Sequence, residues 1–449
     1  MVSGETGLPA SFDLETGRNV QWIAQLGTET HGMPIIAGGR VFIGTNNGEP
    51  RDPTQTGDCG VLMCFDEKDG RFLWQHAWPK RAEDPYFDWP KTGMSSPVTV
   101  EGDRAYVVNN RGEVVCLDTR GAGEGIASKV HWTFDLSSGA GIWSHDGAHS
   151  SILIRGEHLY LNTGTGVDNS HRVIRTPDAP SLVVLDKASG RLLAREKEGI
   201  APKIFHCTWS SPALGEVDGR PAIFFAAGDG IVRAFEPLES MPPEGTVATL
   251  RKVWQFDPDP TAPKEQVHRF TSNRQIGPSN IYGMPVLLGK RLFVAGGGDV
   301  FWGKNEAWLK CVDTSKPGDV TAAGPLWSYA LDRHTLSTPA VHNGLVFVSD
   351  TSRNVHCVDA ETGAAVWVHP TKGDYWASPL VADGKVYIGS RKGDFWIFAA
   401  SREKKVLATV DFKRPISATP IAANGVLYVA TMTQLYALRE GVELNGAKP

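Results

Sequence analysis

The segment SPLVADGKVYIGS, residues 378 to 390, joins a small-residue–proline step, an apolar run, a Gly turn and a second apolar run. Close copies are TPIAANGVLYVAT (419 to 431), TPAVHNGLVFVSD (338 to 350) and MPIIAGGRVFIGT (33 to 45). Short apolar runs separated by Gly-containing turns predict antiparallel strands. The segment therefore predicts a β-hairpin that recurs along the chain.

Looser copies bring the number of repeats to eight. Their anchors, at the proline or its equivalent, are Pro34, Pro97, Ile152, Pro212, Pro285, Pro339, Pro379 and Pro420. The last three anchors lie 40 and 41 residues apart, which is the length of a four-stranded propeller blade. Longer spacings indicate loop insertions. We therefore predict an all-β protein, an eight-bladed β-propeller formed as a single domain by residues 1–449.

The opening of the chain predicts how the ring closes. FDLETGRNVQW (12 to 22) is similar to VDAETGAAVW (358 to 367), which ends a repeat. The eighth repeat stops after its third strand, QLYAL (434 to 438). We expect the N-terminal strand, about residues 17–23, to pair with this strand and complete blade 8, because the pairing removes two open sheet edges.

Residues that recur once per repeat predict packing. Cysteines occupy one third-strand position in four repeats, at Cys64, Cys116, Cys311 and Cys357. Tryptophans end the fourth strand in six repeats, at Trp22, Trp74, Trp132, Trp254, Trp327 and Trp367. We expect these cysteines to be buried and these rings to pack between blades.

Composition excludes some classes of function. The net charge of -5 and the isoelectric point near 6.2 argue against a general nucleic-acid binder. No run of 18 apolar residues predicts a transmembrane helix, and MVSGETGLPASF lacks the pattern of a secretion signal. The six cysteines form no CxxC and no adjacent pair, so they indicate no compartment.

The repeat unit, with GDFWIF (393 to 398) as its third strand, resembles the pyrroloquinoline-quinone (PQQ) type repeat of eight-bladed bacterial propellers, from Phe12 to about Arg439. One branch of that family contains quinoprotein dehydrogenases, which bind PQQ on a Trp floor beside calcium. The other contains an outer-membrane assembly lipoprotein, a cofactor-free scaffold for protein partners. This chain departs from the alcohol dehydrogenases by lacking adjacent cysteines and from the scaffold by its long insertions. The resemblance implies a periplasmic or secreted protein, which we expect to be a monomer.

The positions three places before each anchor predict what faces the central channel. They hold His31, Met94, His149, Trp209, Tyr282, Leu336, Trp376 and Ser417. Architecture alone would repeat one small residue there, whereas these side chains vary and include many rings. This variation is typical of a binding site at a propeller mouth. The alternative is that bulky rings fill the axis.

Reactive and aromatic side chains are most frequent in two segments of adjacent blades, GIWSHDGAHSS (141 to 151) and IFHCTWSSP (204 to 212). The segments contribute Trp143, His145, Asp146, His149, His206 and Trp209. Along an extended strand, His145 and His149 would stand about 13 Å apart, too far for one metal ion. A transition-metal site therefore needs a bend at Gly147, or ligands from separate blades such as His31, His206 and His334. Each lone histidine could equally be a hydrogen-bonded structural residue.

The insertion VHRFTSNRQIGPSNIYG, residues 267 to 283, supplies Arg269, Asn273, Arg274 and Tyr282. Its cations could receive the carboxylates of a quinone or form a solvated surface. In a PQQ-dependent dehydrogenase acting on an alcohol or sugar, Trp209 or Trp376 would stack on the quinone. Asp146 or Asp374 would be the base.

Three functions remain open from the sequence. The first is binding of a small molecule or protein partner at the axial funnel without a cofactor. The second is the dehydrogenase with PQQ and calcium, and the third is a metal-dependent enzyme that uses axial histidines.

Overall fold

The computed structural model describes residues 1–81, 89–122, 128–146 and 150–444. Eight antiparallel sheets follow one another along the chain and form the blades of a ring. The predicted eight-bladed β-propeller is therefore confirmed. No helix among these residues has the length and apolarity needed to cross a membrane.

Each blade has four main strands, ordered from the ring axis outward. Blades 1 to 4 contain Ile35–Ala37, Arg40–Asn46, Cys59–Asp66 and Phe72–Pro79; Thr99–Glu101, Arg104–Val108, Glu113–Asp118 and Val130–Asp135; Leu153–Arg155, His158–Asn162, Leu182–Asp186 and Leu192–Arg195; and Ala213–Val217, Arg220–Ala226, Val232–Phe235 and Lys252–Phe256. Blades 5 to 8 contain Val286–Leu288, Arg291–Gly297, Ala307–Asp313 and Trp327–Leu331; Ala340–His342, Leu345–Ser349, Asn354–Asp359 and Ala365–Pro370; Leu380–Ala382, Lys385–Gly389, Asp394–Ala399 and Val406–Asp411; and Ile421–Ala423, Val426–Ala430, Gln434–Glu443 and Arg18–Gln25.

Few other elements interrupt this pattern. The short strands Ala248–Thr249 and Gly318–Asp319 extend blades 3 and 4 at their outer edges. The helical turns among the described residues are the α-helix Leu136–Ala140 and the 3-10 helices Ala201–Lys203, Val267–Phe270 and Thr321–Ala323.

The N-terminal strand closes the ring as the sequence predicts. Arg18–Gln25 pairs antiparallel with the last strand, so that Trp22 lies opposite Ala437. The register shifts at Asn19, whose side-chain oxygen accepts a hydrogen bond from the Gly441 backbone N–H at 2.9 Å. Blade 8 therefore consists of both ends of the described chain.

The recurring tryptophans connect neighbouring blades. The Trp327 indole of blade 5 donates to the Ala360 carbonyl of blade 6 at 3.1 Å. Its ring covers Gly363, where an added Cβ would stand 2.6 Å from the indole. The same close contact joins Trp22 to Gly70, Trp74 to Gly121 and Trp132 to Gly190. Trp254 packs on Phe224 of its own blade and shares a core cluster with Leu292 and Val294 of blade 5. The predicted packing role of the tryptophans is confirmed.

The apolar core lies between blades and includes all six cysteines. They are free thiols and buried. Burial raises the pKa of Cys64, Cys311 and Cys357 to about 12, so these thiols stay protonated. The prediction that the third-strand cysteines are buried is confirmed.

We expect Gly363→Ala to destabilise the protein much more than Gly344→Ala. Both glycines of blade 6 have a left-handed backbone, with φ of 74° and 73°, but only Gly363 faces a ring. Gly344→Ala should cost about 1–2 kcal/mol for the backbone conformation. Gly363→Ala should cost about 1–3 kcal/mol more, because the methyl group displaces Trp327. The midpoints of urea unfolding measure both costs, and equal midpoints would contradict the proposed packing role of the Trp–Gly contact.

Candidate functional site

Two kinds of loop meet on one face of the ring. The loops that precede each inner strand and those between the second and third strands lie at the same ends of antiparallel strands. We call this side the upper face. The turns between inner and second strands, such as Gly289 in blade 5, lie on the opposite side, the lower face.

Three histidines of the upper face form what we call the histidine cluster. His145, His171 and His206 each offer a ring nitrogen, and these atoms lie within 4.8 Å of one another. The Nε2 atoms of His145 and His206 are 2.9 Å apart. His145 and His206 precede the inner strands of blades 3 and 4, whereas His171 lies between the second and third strands of blade 3.

Backbone hydrogen bonds bring these segments together. His145 N–H donates to the Gly164 carbonyl, and Val167 N–H donates to the His206 carbonyl, both at 2.9 Å. Gly166 lies between the two histidines, where an added Cβ would approach the His145 Cβ to 2.7 Å. A side chain at position 166 would therefore push the histidine segments apart.

In His145 and His206, the two buried histidines, one ring nitrogen points to the centre of the cluster. The other ring nitrogen is hydrogen-bonded to a protein group. His145 Nδ1 lies 2.6 Å from the Val167 carbonyl, so this nitrogen carries a proton, and in the neutral ring the Nε2 lone pair faces His206. His206 Nδ1 lies 2.8 Å from Asp299 Oδ2. Such contacts fix the tautomer and orientation of a ring, as they do for metal-binding histidines.

Asp299 is a fully buried and fully hydrogen-bonded carboxylate. Its Oδ1 accepts the backbone N–H groups of Phe301 and Trp302, at 3.0 and 2.6 Å. Its Oδ2 accepts the Tyr282 hydroxyl besides His206. Burial alone would raise the pKa of Asp299, but the His206 charge and these hydrogen bonds bring it below its usual value. Asp299 is therefore ionised and holds His206 in place.

The pKa values of His171 and His206 shift in opposite directions. Burial and the neighbouring His145 and His206 lower the pKa of His171. Burial also disfavours charge on His206, but the Asp299 carboxylate raises the pKa of His206 above its usual value. Within the described chain, the buried Nδ1 of His171 has no hydrogen-bond partner. A buried nitrogen without a partner is uncommon and is one sign of an ion or water.

A second carboxylate, that of Asp146, borders the cluster. Asp146 Oδ2 lies 3.2 Å from His145 Nε2, the nitrogen that points to the centre. Asp146 has a left-handed backbone with φ of 55°, directly after His145. The carboxylate is thus within reach of an ion bound by the histidines, or of water on that ion.

An aromatic cavity of about 160 Å³ lies beside the cluster at the ring axis. It is lined by His31, Trp89, Trp209, Tyr282, Leu336, Trp376 and Ser417. Six of these occupy positions three places before an anchor, so the structure brings these predicted residues together. Trp209 and Tyr282 also border the cluster, since Trp209 lies 6.0 Å from His206 between ring centroids and Tyr282 bonds to Asp299.

Other predicted residues of the cavity are already in contact with protein groups. The Arg391 guanidinium lies 4.0 Å from the centre of the Trp376 ring and occupies one face of it. The His31 ring contacts Trp89 edge-on at 5.4 Å, and its Nε2 lies 3.5 Å from Glu29. His31 is therefore a wall of the cavity, separate from the histidine cluster.

The remaining predicted residues lie elsewhere on the upper face. Arg274 donates to the Phe301 and Gly303 carbonyls at 2.8 and 3.0 Å, so it supports the loop that carries Asp299. The Asn273 side chain caps the turn that follows it. His334 contacts the Lys304 carbonyl at 2.7 Å. Arg269 is exposed.

Two further predicted residues do not line the cavity, and one lies outside the described residues. Trp143 stacks with Arg175 at 4.0 Å. Asp374 contributes its backbone carbonyl to Arg391 N–H at 2.9 Å. The predicted ligand His149 falls in the interval 147–149, outside the described residues.

His171 and Asp299 belong to the site but were not predicted from the sequence. Both lie between the second and third strands of a blade, in intervals much longer than the 349–354 interval of blade 6. The segments before the anchors form only part of the upper face, because the loops between second and third strands reach it as well. A search of long second-to-third-strand loops for His and Asp would have found both residues.

Comparison with known proteins gives the following matches. The family model described as outer membrane protein assembly factor BamB matches residues 58–241 and 316–405. No curated protein matches the sequence.

Among solved structures, BamB from Moraxella catarrhalis has 13% identity and a TM-score of 0.55, covering 94% of this chain and 99% of its own. The quinohemoprotein alcohol dehydrogenase ADHIIG from Pseudomonas putida HK5 has 12% identity and a TM-score of 0.60, covering 100% and 80%. A europium-containing methanol dehydrogenase has 12% identity and a TM-score of 0.63, covering 96% and 87%. Similarity at this identity establishes the fold alone.

We expect Tyr282→Phe to destabilise the metal-free protein by about 1.5–3 kcal/mol, because it removes a hydrogen bond to the buried Asp299 charge. Tyr375→Phe is the matched control, since that buried hydroxyl donates to the neutral Thr371 hydroxyl at 2.9 Å. The control should cost about 0.5–1.5 kcal/mol. Urea unfolding gives both values. A smaller cost at Tyr282 than at Tyr375 would show that Asp299 does not depend on this hydroxyl.

Proposed function

Since this chain belongs to the family of outer membrane protein assembly factor BamB, whose fold does not fix a chemistry, we propose a function from its own side chains. The protein is a metal-dependent propeller. It binds one divalent transition-metal ion through His145, His171 and His206 and exposes that ion to a small molecule in the axial cavity. The observation that carries this proposal is the convergence of three imidazole nitrogens within 4.8 Å.

The distances support one shared ion. Metal–imidazole bonds of about 2.0–2.1 Å place neighbouring ligand atoms about 3.0–3.4 Å apart. The His145 and His206 Nε2 atoms, at 2.9 Å, are close to that separation. His171 needs a small movement, and its ring lies under the partly exposed Trp302, at 5.5 Å between centroids. Among the described residues, the Nδ1 of His171 has no hydrogen bond that such a movement would break.

The donor set favours zinc, copper or nickel over calcium or magnesium. Imidazole suits the transition metals, whereas calcium takes six to eight oxygen ligands. Three histidines leave at least one coordination position for water or substrate, as in catalytic zinc sites. Asp146 lies where it could complete the coordination or accept a proton from that water.

Binding of a small molecule at the axial funnel forms part of the same proposal. An apolar cavity of about 150 Å³ is known to hold benzene. The aromatic cavity of about 160 Å³ therefore suits a single ring. Aromatic walls stack well on a flat ligand.

The residues present do not fit PQQ with calcium. The cavity has room for one ring, whereas PQQ has three fused rings with carboxylates. Among the described residues, the lining of the cavity contains no carboxylate or amide side chain to ligate calcium, and Arg391 already occupies one face of Trp376. Arg274 donates to backbone carbonyls. We therefore do not propose quinone chemistry for this protein.

We also propose that the protein is exported and acts as a monomer. The name of the matching family, an outer membrane assembly factor, supports an exported protein. Fractionation of cells that express the native gene, with size-exclusion chromatography, would test both points.

We expect the protein, purified under metal-replete conditions, to contain about one zinc, copper or nickel ion per chain by mass spectrometry. His171→Ala should weaken binding at least about 100-fold, and Asp299→Asn about 10–100-fold through the orientation of His206. His356→Ala is the control for removal of a buried histidine outside the cluster. Like His206, His356 is buried and contacts a buried carboxylate, here Asp350, at 2.9 Å. Titration of the metal-free variants with Zn²⁺ or Cu²⁺ gives the affinities. Equal losses in His171→Ala and His356→Ala, or a wild-type protein without affinity for these ions, would disprove the metal site.

A further inference from the structure

A second cavity, larger and apolar, occupies the axis toward the lower face. Its volume is about 740 Å³, within the range of small-molecule sites. Met33, Met284, Leu287, Leu288 and Val341 form its apolar walls. Leu288 is 56% exposed at the mouth. The cavity is therefore accessible from the lower face, opposite the histidine cluster.

A ring of hydroxyl groups lines the inner part of this cavity. Ser211, Thr338, Ser378 and Thr419 hold the position just before the anchor in their blades. Each hydroxyl oxygen accepts one backbone N–H at 2.9–3.0 Å, from Ser151, Met284, Thr338 and Ser378 respectively. In all four of these bonds, the donor is the equivalent residue of the preceding blade. The hydroxyls thus connect adjacent blades at the axis.

The hydroxyl hydrogens of this ring remain available. A serine or threonine hydroxyl has one donor in addition to its acceptor lone pairs. Within the described chain, none of these four hydroxyls donates to a protein acceptor, while their oxygens are occupied by N–H groups. The cavity therefore presents several hydrogen-bond donors inside apolar walls.

The lining also limits the charge of a ligand. Among its described lining residues there is no lysine, arginine, aspartate or glutamate, and His342 has the one titratable side chain. The Met1 α-amino group also lies in the lining, but it donates to the Pro379 carbonyl at 2.6 Å, and burial lowers its pKa to about 5, so it supplies no countercharge near neutral pH. An ionised ligand group would lose its hydration without a countercharge from these side chains, which is costly. A neutral acceptor, such as a carbonyl oxygen, matches the hydroxyl donors.

We propose that this lower cavity binds a neutral, largely apolar molecule that carries a carbonyl-type hydrogen-bond acceptor, such as a long-chain ester. The apolar body contacts the Met, Leu and Val walls, and the acceptor contacts the hydroxyl ring. This site is separate from the metal site and does not depend on it.

Nile red is a suitable probe, because it is neutral, carries a carbonyl acceptor and fluoresces in apolar surroundings. We expect saturable binding with one site per chain. Leu288→Lys should weaken it by about tenfold or more, since a cation then stands at the apolar mouth. Leu326→Lys is the matched control, because Leu326 is 52% exposed and lies outside the cavity lining. Both exposed positions tolerate the change without loss of folding, which thermal melts verify.

Competition tests the ligand class without any variant. Methyl dodecanoate should displace Nile red several-fold better than dodecane, which lacks the acceptor, and better than the dodecanoate anion. Non-saturable fluorescence, equal weakening by Leu288→Lys and Leu326→Lys, or stronger displacement by dodecane or dodecanoate would overturn the proposal. Failure of metal binding would leave these results unchanged, so the two proposals are tested separately.

Discussion

The contact between a tryptophan of one blade and a glycine of the next holds the ring together. Trp327 fills the space above Gly363 and donates to the Ala360 carbonyl, so position, orientation and hydrogen bond are fixed at once. The left-handed turn at Gly363 serves the same contact, because only glycine leaves room for the indole and adopts that backbone without strain. The same contact recurs at Trp22, Trp74 and Trp132 and fixes the angle between the blades that it joins. The positions of the loops depend on these angles.

The upper and lower faces use this frame in different ways. On the upper face, loops of unequal length bring His145, His171 and His206 to one point, and a fourth loop supplies Asp299 to orient one of them. The lower part of the axis keeps the repeat, since the hydroxyls there occupy equivalent positions in four blades. The histidine cluster is therefore formed by loops that differ from blade to blade. The hydroxyl ring is formed by a position that is equivalent in each of its blades.

Most of the fold could be predicted from the sequence, but only part of the site. The anchors gave the blades, and the partial repeat at Gly17 to Trp22 gave the ring closure, because both are local patterns with a fixed period. Six of the cavity residues followed from the same alignment. His171 and Asp299 did not, because their distance from His206 depends on how two long, unrelated loops fold over the face. Periodicity contains no information about such loops.

Ring closure by the first strand determines when the protein can finish folding. Trp22 pairs opposite Ala437, so the strand Gln434–Glu443 must be synthesised before the outer edge of blade 8 can form. Entropy favours early contacts between near neighbours, and pairing across more than 400 residues comes late. During synthesis the strand Arg18–Gln25 remains without its partner while the intervening blades assemble. Until the strand Gln434–Glu443 has been synthesised, the edge of Arg18–Gln25 is therefore unpaired, and such an edge is a template for pairing with other chains.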